Sequence, residues 1–182
     1  MRWPDVELAF ATEPLDPDDL APGERARLPD GLRRHDWLLG RAALKALLGP
    51  GDTSSVKFPS RSLSLTHSAG LAVAARCGGP QAGLGVDFEG WRAIDPRAAR
   101  FYLAPHEQGD LLRLWTVKEA LFKATPGNAG AVFLDYEVDD AAALGGSARD
   151  RHGRTFEYVS RPVPEGWLTL AASFGGAAGA AA

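Results

Sequence analysis

The chain has 182 residues, 45% hydrophobic and 24% charged, which is enough apolar material for one globular domain or two small halves packed as one. A net charge of −3 argues against binding nucleic acid by general electrostatics, and a single cysteine, Cys77, excludes an intramolecular disulfide and a cysteine-built structural zinc site. No basic and then apolar leader opens the chain, and no apolar run is long enough to span a bilayer, so a cytoplasmic protein with no nucleic-acid or membrane partner is expected.

In chain order, Glu7–Ala11 reads as a first strand, followed by a loop rich in Pro and Asp. Pro29-Asp30 offers a helix start, and Leu32, Leu39, Ala42, Leu44 and Leu48 carry a helical period to about residue 48, where Gly49-Pro50-Gly51 stops it. Ser62–His67 alternates with period two and turns through Ser68-Ala-Gly70 into Leu71–Ala75, a hairpin pattern. Another strand, Leu84–Glu89, follows Gly78-Gly79-Pro80. A short helix is expected near residues 95–103, and Pro105 is placed to open a longer one reaching Ala124. Strand-like runs at Val132–Val138, Thr155–Ser160 and Trp167–Phe174 close the fold, and the Gly/Ala tail 175–182 is expected to be disordered. Leu38-Leu39 with Leu44-Lys45 is echoed 73 positions later by Leu111-Leu112 with Val117-Lys118, and Leu71–Ala75 is similar to Leu168–Ala172. On that echo each half is a helix packed on a small antiparallel sheet.

Three places carry residues suited to chemistry. In Gly85-Val-Asp-Phe-Glu89 strand periodicity puts Asp87 and Glu89 on one face and Val86 and Phe88 on the other. Two like charges so placed either face water or share a hard cation such as Mg²⁺. In Leu111–Lys123 the apolar residues Leu111, Leu114, Val117, Leu121 and Phe122 form one helix face, with Lys118 in its middle, where an ammonium must snorkel or meet an anion. Glu119 and Lys123 are neighbours on its flank, an arrangement that also suits an ordinary surface pair. His67, ending the alternating strand beside Ser68, is a candidate anion donor, with a turn role open for Ser68. Arginine outnumbers lysine sixteen to four, yet Lys45, Lys118 and Lys123 all fall in the two helical segments. Gly83-Leu-Gly85 lacks the rest of a dinucleotide fingerprint, and no Walker loop, metal-spaced histidines or serine-hydrolase elbow is present.

Taken in order, Gly40-Arg-Ala-Ala-Leu-Lys45, Ser64-Leu-Thr-His-Ser68, Gly85-Val-Asp-Phe-Glu89 and Trp115-Thr-Val-Lys-Glu-Ala-Leu-Phe-Lys123 resemble the motif set of the 4′-phosphopantetheinyl transferases of the Sfp type, and Arg100–Glu107 resembles the stretch before the last of them. The resemblance covers roughly residues 20 to 138. It implies an α+β fold of two pseudo-symmetric halves, about 1–83 and 84–174, within one transferase domain acting as a monomer. The implied reaction is Mg²⁺-dependent transfer of the phosphopantetheine arm of coenzyme A to a serine of an apo carrier protein, releasing 3′,5′-ADP. Mn²⁺ suits the same ligands.

Carried over by position, the resemblance makes Asp87, Glu89 and Glu119 the metal ligands and Lys123 the phosphate contact at the leaving group. Glu119 is also a candidate for the proton acceptor. His67 becomes the contact to the 3′-phosphate, and Ser68, Lys118, Arg27, Arg34, Arg41 and Lys45 are further candidates for coenzyme A. Val56-Lys-Phe-Pro59 stands where relatives carry Gly-Lys-Pro, the histidine motif has Ser64 and Thr66 where Asn and Ser are usual, and Thr125–Gly130 replaces a glycine-rich turn. Two other readings compete: a Mg²⁺-dependent pyrophosphate hydrolase, and a non-catalytic module binding a carrier protein or coenzyme A.

Overall fold

A computed structural model describes residues 5–174, so the expected disorder of the tail lies outside the described residues. The fold is α+β with two antiparallel sheets. The first contains β1 (Val6–Ala11), β2 (Leu63–Ser68) and β3 (Leu71–Cys77) in the order β1-β3-β2. The second contains β4 (Gly83–Gly90), β5 (Tyr136–Val138), β6 (Gly145–Asp150), β7 (Thr155–Val163) and β8 (Gly166–Phe174) in the order β4-β8-β7-β6-β5. The helices are α1 (Pro22–Arg25), α2 (Arg33–Leu48) and α3 (Leu111–Lys123). None is long and apolar enough to cross a membrane.

Side-chain alternation builds the layers. On β3, Ala72 and Ala74 pack under Leu39, Ala43 and Leu44 of α2. The opposite face of β3, Leu71, Val73, Ala75 and Cys77, packs on Leu84, Val86 and Phe88 of β4 and Leu168 of β8. Both faces of β3 are therefore buried, which is why its sequence reads as a continuous small apolar run. The other face of the second sheet packs under Val117, Ala120 and Leu121 of α3.

Four expectations are corrected. α2 begins at Arg33, not Pro29, because Gly31 adopts a left-handed φ of 67°, and Leu32 is left 99% exposed. Pro105 does not open α3; the helix starts at Leu111 because the Asp110 carboxylate accepts from the Arg113 amide as an N-cap. Val132–Val138 is strand only from Tyr136, after a 3₁₀ turn at Phe133–Asp135. The 95–103 helix is a 3₁₀ turn over Pro96–Phe101.

Two loops are tied to the two long helices by the same device. In Leu20-Ala-Pro-Gly-Glu24 the carboxylate accepts from the Ala21 amide at 2.9 Å and the Thr53 amide at 3.0 Å, and pairs with Lys45 Nζ at 2.9 Å. In Leu103-Ala-Pro-His-Glu107 it accepts from the Ala104 amide at 2.7 Å and the Val138 amide at 2.8 Å, and pairs with Lys118 Nζ at 2.6 Å. Burial raises the Glu24 pKa, but the Thr53 hydroxyl, Lys45 and the two amides outweigh it and hold the carboxyl at about 2, below its ordinary 4.5.

A depressed folded pKa contributes stability above the unfolded value, and that stability is lost as pH falls toward the folded one. The gap between wild type and Glu24→Gln, read as denaturant midpoints, is expected to be widest above about pH 5, on the order of 3 kcal/mol, and to close toward about pH 2. A gap that stays constant across that window would contradict the assignment.

Candidate functional site

The face of β4 opposite Val86 and Phe88 presents Gly83, Gly85, Asp87 and Glu89 to α3. The glycines set how close the helix comes. A Cβ on Gly85 would lie 1.9 Å from the Ala120 carbonyl oxygen, and one on Gly83 would lie 2.1 Å from that of Ala124. Strand and helix thus touch backbone to backbone, and the last turn of α3 brings Glu119 and Lys123 beside Asp87. Gly85→Ala is expected to cost about 3 kcal/mol and to impair the site, because α3 must move away from β4. A variant with wild-type thermal stability would show that this approach is not needed.

Lys123 Nζ donates to Asp87 Oδ1 at 2.7 Å and to the Val86 carbonyl at 3.3 Å. Thr66 Oγ1 donates to the same Asp87 oxygen at 3.0 Å, whereas Asp87 Oδ2 is buried without a hydrogen-bond partner among the described residues. Glu89 is more fully engaged: Oε1 accepts from Trp115 Nε1 at 3.1 Å, and Oε2 accepts from Ser68 Oγ at 3.0 Å and Arg92 Nε at 3.4 Å. Burial pushes the Asp87 carboxyl above its ordinary value despite Lys123 and Thr66. Burial, and then the charge of Asp87, pushes Glu119 up to about 7, against the pull of Lys123. A pair of carboxyl groups raised in this way is an environment short of positive charge.

These groups line one cleft of about 480 Å³ between β2, β4 and α3, whose apolar walls are Phe58, Pro59 and Phe122. His67 is exposed on its rim and also lines a neighbouring groove with Arg27, Arg33 and Trp37. The cleft therefore gathers His67, Asp87, Glu89, Glu119 and Lys123 from three separated segments, together with the Phe58-Pro59 stretch.

The other candidates are placed elsewhere. Lys118, expected among the coenzyme A contacts, is fully buried against Glu107 and the Tyr136 carbonyl, so it meets an anion from its own chain and does not line the cleft. Lys45 is likewise committed to Glu24 and to the Pro50 and Gly51 carbonyls. Arg41 donates to the Thr53 carbonyl and hydroxyl, both at 3.0 Å, and stacks on Trp37 with its guanidinium carbon 4.9 Å from the ring centroid. Arg27 donates to the Ser54 carbonyl and lines the neighbouring groove, while Arg34 is exposed. The Ser68 hydroxyl is directed to Glu89, not to an outside anion.

No protein-family model matches the chain, and no curated protein matches it in sequence. The chemistry of the site therefore stands on its own geometry. Among the described residues, no three His, Cys, Asp or Glu side chains stand together as a metal site. Of the three expected ligands, Asp87 and Glu119 form the pair with the most open acceptor capacity, while the Glu89 oxygens already accept from Trp115, Ser68 and Arg92. The pair still fits Mg²⁺, which takes one or two protein carboxylates and completes its shell with phosphate oxygens and water. The unpartnered Asp87 Oδ2 is the open acceptor such an ion requires.

Proposed function

We propose that the chain is a Mg²⁺-dependent 4′-phosphopantetheinyl transferase of the Sfp type, acting as a monomer. In this reading it moves the phosphopantetheine arm of coenzyme A to a serine of an apo carrier protein and releases 3′,5′-ADP. The observation that carries the reading is the convergence of His67, Asp87, Glu119 and Lys123 on one cleft with apolar walls. Asp87 and Glu119, with Glu89 as the third ligand, would hold Mg²⁺, which supplies charge stabilisation to a pyrophosphate.

The chain's own residues do the rest. Lys123, only 27% exposed at its side chain, presents an ammonium to the phosphate that departs with the nucleotide. Glu119 accepts no hydrogen bond among the described residues, so one of its oxygens would be left beside the metal to take the proton of the attacking serine. His67 on the rim reaches the 3′-phosphate, and Arg27 in the adjoining groove adds positive charge there. Phe58, Pro59 and Phe122 keep water from competing with the serine.

The duplicated carboxylate clamp supports reading residues 1–83 and 84–174 as pseudo-symmetric halves. Leu20-Ala-Pro-Gly-Glu24 with Lys45 corresponds to Leu103-Ala-Pro-His-Glu107 with Lys118, each glutamate bonding the alanine three residues before it and a lysine of the following long helix. The soluble, cytoplasmic setting belongs to this proposal as well.

The test is release of 3′,5′-ADP from coenzyme A and Mg²⁺, measured chromatographically with and without an apo carrier protein. Release only with the carrier is expected. Release without it would identify a hydrolase, and binding of coenzyme A with no release under either condition would identify a binding module.

A further inference from the structure

Among the described residues β4 is an edge strand of its sheet, and the amides on its outer side have no strand to pair with. The Leu84 amide reaches the Ser60 carbonyl at 3.2 Å. From there on, β2 side chains replace backbone carbonyls. Val86 N–H donates to Ser64 Oγ at 2.9 Å, Phe88 N–H to Thr66 Oγ1 at 3.4 Å and Gly90 N–H to Ser68 Oγ at 3.5 Å. Both strands advance two residues per rung, so the three hydroxyls form a regular ladder joining the two sheets.

Each hydroxyl that accepts an amide has its proton left to give. Thr66 gives it to Asp87 Oδ1 at 3.0 Å and Ser68 gives it to Glu89 Oε2 at 3.0 Å, the carboxylate in each case belonging to the residue just before the capped amide. Ser64 caps Val86 in the same way but serves no carboxylate.

Resting on the metal reading of the cleft, we propose that Thr66 and Ser68 are positioning residues, whose amide-pinned hydroxyls orient Asp87 and Glu89 and leave Asp87 Oδ2 open to a divalent cation. Outer partners of this kind orient the ligands they bond, and their loss typically costs about 10- to 100-fold in metal affinity. With Oδ1 drawn toward Thr66 and Lys123, rotation of the Asp87 carboxylate is stopped and its second oxygen is the one left to coordinate.

The experiment measures Mn²⁺ affinity of the full chain, without coenzyme A, by electron paramagnetic resonance, alongside thermal melting. Thr66→Val is expected to weaken binding roughly 10- to 100-fold, and Thr66→Ser to restore it to within about threefold. Ser68→Ala is expected to weaken binding only about threefold, since Trp115 still holds Glu89. Ser64→Ala, which loses the same kind of amide cap, is expected to melt lower yet bind Mn²⁺ as wild type does. If Thr66→Val binds as tightly as wild type, or if Ser64→Ala weakens binding as much as Thr66→Val, the inference is overturned and the metal reading stands. If wild type binds no Mn²⁺, both fail. Should Thr66→Val not fold, the comparison of Ser68→Ala with Ser64→Ala decides, equal affinities overturning the inference.

Discussion

Asp87→Asn is expected to slow phosphopantetheine transfer by about a thousandfold while leaving thermal stability unchanged or slightly raised. The carboxylate is 3% exposed, and its second oxygen has no partner among the described residues. Burial makes its charge costly, which is the meaning of its raised pKa. The amide keeps the shape and can still accept from Thr66 and Lys123 through its oxygen. It supplies no negative charge to a cation, so the loss falls on function and not on the fold. Wild-type turnover at saturating Mg²⁺ would contradict the placement of Asp87 at the centre of the site, and a large fall in melting temperature would mean that its role is structural.

Glu107→Ala is expected to produce the largest loss of stability, about 3 to 5 kcal/mol, a fall in melting temperature of roughly 10 °C for a chain of this size. Glu107 closes four contacts at once: the Ala104 and Val138 amides and two close contacts to Lys118 Nζ. Burial pushes the Lys118 ammonium below its ordinary pKa and Glu107 pulls it back, so without Glu107 a charge remains buried against little more than the Tyr136 carbonyl. Adding Lys118→Met removes that charge, and the double variant is expected to be more stable than Glu107→Ala alone. Simple addition of two losses, measured by denaturant unfolding, would show that the pair is not coupled.

What the sequence made legible followed from periodicity. β2, β3 and β4, the run of α2 to Leu48 and the end of α3 show in the alternation or helical spacing of their apolar residues, and Asp87 and Glu89 fall on one strand face for the same reason. β6 is not legible in the sequence because Gly145-Gly-Ser carries no apolar alternation; its place is set by pairing with β7. The start of α3 is masked in the sequence because Pro105 matches a helix opening, whereas the Ala104–Glu107 turn is closed by its own glutamate. The place of Lys118 on an apolar face shows that it needs an anion, but the anion lies eleven residues upstream in a turn that no helical period connects to it. The repeat Leu-Ala-Pro-x-Glu at residues 20–24 and 103–107 was present in the sequence and is a sharper internal signal than the Leu-Leu echo, which rests on common residues. The heavier engagement of Glu89 than of Asp87 and Glu119 depends on Trp115, Ser68 and Arg92 meeting in space, and no linear spacing reports it.

The measurement that tests the central claim most directly is the intact mass of an apo carrier protein after incubation with this protein, coenzyme A and Mg²⁺, with EDTA and Asp87→Asn as controls. The account predicts a gain of one phosphopantetheine on the carrier, abolished by EDTA and by the substitution. An unchanged mass across fatty-acid, polyketide and nonribosomal-peptide carriers, with coenzyme A still bound to the protein, would contradict it.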